Sequence, residues 1–359
     1  MKPRVLLVGR TRYALPLSTS LRRRFDALRA ELDVRVIAAG TGGDDTFHLA
    51  RAVPIADGAA FYASLPLRIA RELRSFRPDA VLAQSPYEGA AALTARRLAG
   101  LRTPLIVDVH GDPRTFTRLY GSGARRALGP LADGVAERAI RAADAVRTVS
   151  PFTTGVVRRL GVEPADTFPA FMDLEPFLGD PAPLPEGPRA VFVGSLQRYK
   201  GIDVLLRAWA RVPLGTLYVV GDGALRDEVT ARYEAGELRW ERRLDPDEVA
   251  RALDDAWCLV LPSRSEGMGR VIVEAFCRGR GVVGSRAGSI PDLVRDGESG
   301  LLVQAEDAEA LAGALTRVLS DRALAERLGA GARASAPEWT QTPEEWAART
   351  RALVEKVVK

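Results

Sequence analysis

Twice along this chain, short apolar runs that end in glycine or serine alternate with stretches of helical character. The first series is VLLVG at 5–9, DVRVIAAG at 33–40, DAVLAQS at 79–85, PLIVDVHGD at 104–112 and ADAVRTVS at 143–150. The second is RAVFVGS at 189–195, TLYVVGDG at 216–223, WCLVLPS at 257–263 and GVVGSR at 281–286. Runs that are apolar almost throughout suit strands covered on both faces, and strand–helix alternation yields a parallel, doubly wound sheet. The intervening stretches carry helical spacing: Leu21, Phe25, Leu28 and Leu32 mark a helix over about 18–32. Further helices are predicted over about 65–76, 89–98, 202–211, 247–256, 307–319, 322–332 and, amphipathic, 343–358. Asp245, Pro246 and Glu248 supply an N-cap, a first-position proline and a first-turn acid for the helix at 247–256.

Between the two series, FMDLEPFLGDPAPLPEGP at 171–188 is crowded with proline and glycine and keeps no period, so it reads as a linker. The expected organisation is an N-terminal Rossmann-like domain over 1–172, a linker over 173–188, a C-terminal Rossmann-like domain over 189–335, and a final segment over 336–359 that packs back on the first domain. A chain of 359 residues is long enough for two such cores.

Composition excludes several classes. With 47% hydrophobic and 27% charged residues the chain is globular, and it lacks an uncharged apolar run long enough to span a bilayer. The apolar core of MKPRVLLVGRTR is too short for a signal segment and reads as a first strand. Cys258 and Cys277, the only cysteines, lie in apolar surroundings, as reduced core thiols of a cytoplasmic protein do. Two histidines, His48 and His110, make a histidine-based zinc site a poor fit. Residues 1–175 hold 26 Lys/Arg against 18 Asp/Glu, whereas 176–359 hold 25 against 28. The basic first half, with Arg22, Arg23 and Arg24 on one helix, suits either solvated faces or a peripheral contact with an anionic membrane. Nothing points to nucleic acid.

The stretch from Leu259 to Arg286 carries the most chemistry. A buried strand delivers a polar loop with Glu266, Gly267 and Gly269, and a helix with Glu274 follows. Glycines let backbone N–H groups approach a ligand, and a helix start favours an anion. Two carboxylates eight residues apart can flank that anion and accept hydroxyl groups. A ligand with phosphate at its centre and hydroxyls on either side is a nucleotide sugar.

These residues do not stand alone. The order VFVGSLQRYKGIDVLLRAW, YVVGDGALRDEV, SEGMGRVIVE and GSIPDLVRDGESGLLV resembles the family-4 glycosyltransferases of the GT-B fold, with weaker matches at HGD, SPFT and PAFMD in the first half. The resemblance implies two Rossmann-like domains facing a central cleft, and a retaining transfer from a nucleotide-diphosphate sugar, UDP- or GDP-type, to an acceptor hydroxyl. By the same resemblance Lys200 neutralises the diphosphate, Glu266 binds the donor sugar, Glu274 binds the ribose, and His110 stands beside the sugar. The backbones of Gly267, Met268, Gly269, Arg270 and Val271 approach the donor, as do the loops at Gly9 and Gly221. No metal or cofactor is required, and the nucleotide sugar is a co-substrate.

Two departures from the family pattern stand out. Ser195 occupies a position where many relatives carry arginine, and Arg198 is the candidate replacement. The first loop, GRTRYALPL, has Arg10 and Arg12 in place of paired glycines. Separately, GDGALR has Arg226 where a dinucleotide fingerprint needs glycine, which disfavours a dinucleotide oxidoreductase. Two other readings share the fold: a nucleotide-sugar epimerase, which needs further acid–base groups in the site, and a non-catalytic nucleotide-sugar-binding protein.

Overall fold

A computed structural model describes residues 1–50, 57–115 and 129–358. The chain forms two compact units, residues 1–173 with 341–359, and residues 174–340.

Unit 1 is a parallel sheet. Its elements are β1 (Arg4–Ala14), α1 (Thr19–Glu31), β2 (Asp33–Thr41), β3 (Phe47–Ala50), α2 (Asp57–Ser75), β4 (Ala80–Ala83), α3 (Pro86–Ala99), β5 (Leu105–Val109), α4 (Gly129–Ala142), β6 (Ala145–Thr148), α5 (Pro151–Arg158) and β7 (Asp166–Thr167). The strands run in the order β3-β2-β1-β4-β5-β6-β7, so the direction of winding reverses between β1 and β4. β4, β5 and β6 are buried along their whole length, which is why they read as apolar runs broken only by Asp108 in β5 and by Arg147 and Thr148 in β6. One face of the sheet packs Phe25 and Leu28 of α1 with Trp346, Ala347, Leu353 and Val354. The other packs Leu65, Ile69 and Leu73 of α2 with Ala91, Ala92, Ala95 and Ile140.

Unit 2 repeats the design with β8 (Arg189–Val193), α6 (Ile202–Trp209), β9 (Thr216–Val220), α7 (Arg226–Glu234), β10 (Arg239–Glu241), α8 (Pro246–Asp254), β11 (Cys258–Leu261), α9 (Arg270–Cys277), β12 (Gly281–Ser285), α10 (Ile290–Leu293), β13 (Gly300–Val303), α11 (Ala308–Ser320) and α12 (Arg322–Ser335). Its order is β10-β9-β8-β11-β12-β13, all parallel, with the reversal between β8 and β11. At α8, Asp245 accepts from the Glu248 amide while the Glu248 side chain accepts from the Asp245 amide, closing a capping box. Cys258 and Cys277 are free and buried, and burial pushes their thiols up to about 12 and about 11.

The structure corrects two boundaries. Residues 174–188, read as a linker, fold with unit 2: a 3₁₀ turn at Glu175–Phe177 buries Phe177, and the rest is tied down by side-chain donors. Arg278 donates to the Gly179 and Asp180 carbonyls, Arg280 to that of Ala182, and the Trp257 indole to that of Pro185. Proline and glycine deny this segment a backbone period, so side chains satisfy its carbonyls instead. The second boundary lies at 340 rather than 335, because a 3₁₀ turn at Ala336–Glu338 continues unit 2 and Arg295 grips Glu338 at 2.6 and 2.8 Å. The last helix, α13 (Pro343–Val358), belongs to unit 1, where it packs beside α1.

Candidate functional site

Open α/β sheets bind ligands beyond the carboxyl ends of their strands, where the winding reverses. In unit 2 that point lies between β8 and β11, and the loops that follow these two strands carry Lys200 and Glu266. Lys200 Nζ lies 2.5 Å from Glu266 Oε1, and the same oxygen accepts from Ser263 Oγ at 2.8 Å. Glu266 is buried and Lys200 is largely so. Two residues 66 apart in sequence are thus held as a shielded ion pair.

Backbone contacts fix the loops. The Arg264 amide donates to Tyr199 O at 2.7 Å, tying one loop to the other. The Arg264 side chain forks onto both carboxylate oxygens of Asp203, at 2.7 and 2.8 Å, and also bonds Glu306. Burial works to raise the Asp203 pKa, but Arg264 outweighs it and holds the carboxyl below its ordinary range. From the other side, the Ser289 amide donates to Glu266 O at 3.0 Å, and Gly288 sits so close that an added Cβ would lie 2.2 Å from that oxygen. Gly201, at φ 71°, leaves equally little room against Pro262 O. Gly221, at φ 149°, would set a Cβ 1.9 Å from Gly194 O, so the loops after β8 and β9 touch through backbone.

Gly269, at φ 63°, opens α9 without any side-chain cap, leaving the first amides of the helix for a ligand. Met268 and Val271 are buried, and Gly267 lies between Glu266 and Met268 in the same loop. Glu274, one turn into α9, is buried and accepts from Arg270 Nε at 2.7 Å. Burial pushes the Glu274 carboxyl above its ordinary pKa, with Arg270 and Lys200 opposing the shift. The Arg270 side chain therefore braces a carboxylate, a role that sequence reading, which assigned only its backbone, did not see. Ser195 Oγ is 2.8 Å from the Tyr199 hydroxyl, and Arg198 is exposed in the same loop.

In unit 1 the reversal lies between β1 and β4. Gly9 sits there within β1, which continues to Ala14 and pairs with β2 where a loop was expected, and an added Cβ would fall 2.1 Å from Gln84 Oε1 just past β4. His110 follows β5 and is partly exposed, with Nε2 3.6 Å from Asp108 Oδ2. Asp108 faces Arg147 across the β5–β6 register, and the two form a buried double hydrogen bond of 2.9 and 2.8 Å. Burial acts to raise the Asp108 pKa, but Arg147 and His110 together hold it below the usual carboxylate range. Sequence reading missed this pair. The signal was present, since a charge inside an otherwise apolar central strand must find a partner, and VDV and AVRT each contain one.

Both sheets and both reversal points are those of the GT-B fold. The solved structures of similar architecture include sucrose-phosphate synthase from Thermosynechococcus elongatus, with a TM-score of 0.81 at 21% identity over 99% of each chain. Anabaena HepE in complex with UDP-glucose gives a TM-score of 0.71 at 17% identity over 98% of this chain and 99% of that one. The sequence model described as Glycosyltransferase Family 4 matches residues 17–175, and that described as Glycosyl transferases group 1 matches residues 187–321. The chain belongs to this glycosyltransferase family. Among named relatives, it is 26% identical to the sulfoquinovosyl transferase SQD2 of Arabidopsis thaliana over 84% of this chain and 63% of that one. It is 28% identical to the lipopolysaccharide core biosynthesis glycosyltransferase LpsE of Rhizobium meliloti over 74% and 72%. A D-inositol 3-phosphate glycosyltransferase of Jonesia denitrificans is 34% identical over 44% of this chain and 40% of its own length. The chain thus spans under two thirds of the length of two of these relatives.

Proposed function

We propose that this protein transfers a hexosyl-type sugar from a nucleotide-diphosphate sugar to an acceptor hydroxyl with retention of anomeric configuration. The observation that carries the reading is the shielded Lys200–Glu266 pair at the reversal point of unit 2, one helix turn from buried Glu274. In this reading the diphosphate draws Lys200 away from Glu266, and the freed carboxylate accepts hydroxyls of the donor sugar. The ribose hydroxyls meet Glu274, whose desolvated carboxylate gains most from such hydrogen bonds. The α9 amides and Lys200 then stabilise the charge that develops on the leaving diphosphate, and Arg198 stands in for the arginine absent at Ser195. His110 in unit 1 positions the sugar for attack from the face that the diphosphate leaves. No metal or cofactor has a role in this scheme.

HepE was solved with UDP-glucose and LpsE is named for lipopolysaccharide core biosynthesis, which favours a UDP-type donor and a glycan acceptor, and the basic first half favours work at an anionic membrane surface. No helix among the described residues is long and apolar enough to cross a bilayer, so such an association is peripheral. Incubation with UDP-, GDP- and ADP-sugars, followed by NMR of the product's anomeric proton, tests the proposal. Transfer or slow donor hydrolysis with retained configuration is expected. Inverted product would end the retaining assignment, and isomerised donor without transfer would end the transferase one.

A further inference from the structure

Unit 1 contains a cavity of about 320 Å³ at its reversal point, lined among others by Arg10, Arg24, His110, Arg147, Trp346 and Thr350. That volume suits a small ligand. Its charges are unevenly served. Arg147 and His110 share Asp108, and the other carboxylate of the wall, Glu88, is taken by the Tyr62 hydroxyl at 2.9 Å and by Ser85. Arg24 has no carboxylate bonded to it, only the Tyr13 hydroxyl and the more distant charge of Asp108. Its guanidinium is stacked among aromatic rings, 5.0 Å from the Trp346 ring, 5.4 Å from Phe25 and 5.8 Å from Phe171. Its Nε is shielded from solvent and has no hydrogen-bond acceptor among the described residues, and burial lowers its pKa.

The Trp346 indole N–H is likewise buried without a partner among the described residues. Trp346 itself is only 5% exposed. A shielded guanidinium with an N–H left without an acceptor is costly, and stacking on rings offsets only part of that cost. Such groups are tolerated where a ligand completes them, and each of these is a donor that an oxygen-rich anion satisfies.

We propose that this cavity binds a phosphate-type anionic group on the acceptor, with Arg24 and the Trp346 indole as its direct donors and Arg10 at its entrance. The inference rests on the reading of unit 1 as the acceptor unit. The ligand class it names is a phosphorylated polyol small enough for the cavity, or the same phosphate carried on a lipid headgroup.

The test is calorimetric titration of the full-length protein with inorganic phosphate, run beside a titration with UDP. Wild-type protein is expected to take up one phosphate. Arg24→Met, which keeps the stack but loses the charge, should weaken that binding at least tenfold. Trp346→Phe, which keeps the ring but loses the N–H, should weaken it about threefold. UDP affinity should stay within twofold in both, which separates a lost site from a lost fold. Arg24→Met should also melt no lower than wild type in phosphate-free buffer, because it removes an uncompensated cation. Glycerol 3-phosphate should displace the bound phosphate; displacement by phosphatidic acid vesicles and not by the soluble ester would place the group on a lipid. Absence of phosphate binding, wild-type binding by both variants, or failure of both the soluble ester and the vesicles to compete would overturn the proposal. If wild type binds phosphate but neither UDP nor any nucleotide sugar, the pocket stands and the transferase reading falls.

Discussion

A lysine and a glutamate in contact in a shielded site hold each other's charge until a competitor arrives. Lys200 and Glu266 are such a pair, and the proposed reaction separates them. Lys200→Ala should therefore weaken UDP binding at least tenfold and lower kcat by roughly 10²- to 10³-fold, the range seen when one preorganised charge stabiliser is lost. Titration calorimetry and a transfer assay check the two numbers separately, and unchanged UDP affinity would remove Lys200 from the diphosphate. In unit 1, Asp108 makes a pH-dependent contribution. Its folded pKa is depressed, so its stabilisation is complete above the unfolded value of about 3.9 and is lost as pH falls through the folded value. Asp108→Asn leaves Arg147 buried without a counter-charge, at a cost of about 3–5 kcal/mol at neutral pH. The variant's stability should also stop falling so steeply in acid. Denaturant melts from pH 2 to 7 would show both effects; a parallel loss at every pH would mean Asp108 acts by packing alone.

At the scale of elements, a site carried on loops depends on the backbone that pins them. Gly288 is placed so that a methyl group meets Glu266 N and O at 2.5 and 2.2 Å, and its φ of 56° is one that other residues adopt at a cost. Gly288→Ala should move the Glu266 loop and raise the donor KM by tenfold or more. The fold should lose only about 1–3 kcal/mol, as strain at one backbone position does. Steady-state kinetics beside a melt would catch the opposite result, a fold lost with the KM intact. Most central strands were legible because they are buried along most of their length, and α8 was legible from its cap; β1 runs on past Gly9 to Ala14 through a mostly exposed stretch that no apolar run marks. The edge strands β3, β7 and β10 were not, being two to four residues long and mostly half exposed. Helix α7 escaped because RDEVTARYE buries a single residue, Val229, and so lacks an apolar stripe. In the site, the glutamates and the lysine could be read from spacing and resemblance. Ser263, Arg264 and Ser289 could not, since their part is to bond loops that only the sheet order brings together.

For the molecule as a whole, the two units have separate cores and, in the proposed function, separate ligands. Calorimetry should resolve two melting transitions, of which UDP raises only that of unit 2, by mass action. Leu353→Ala, in the α13 face buried against the first sheet, should lower only the other, by about 2–5 kcal/mol. A single transition shifted by both would mean that the units unfold as one. Helix α13 also sets an order of events during synthesis. Residues 343–358 complete the first core yet are made after the whole of unit 2, so unit 1 waits, unfinished, while unit 2 has all of its own sequence. Trp346 is among those late residues and walls the proposed anion pocket. Under the proposed assignment, a nascent chain holds a nucleotide sugar before it can hold an acceptor, and it gains the capacity to transfer only when α13 docks.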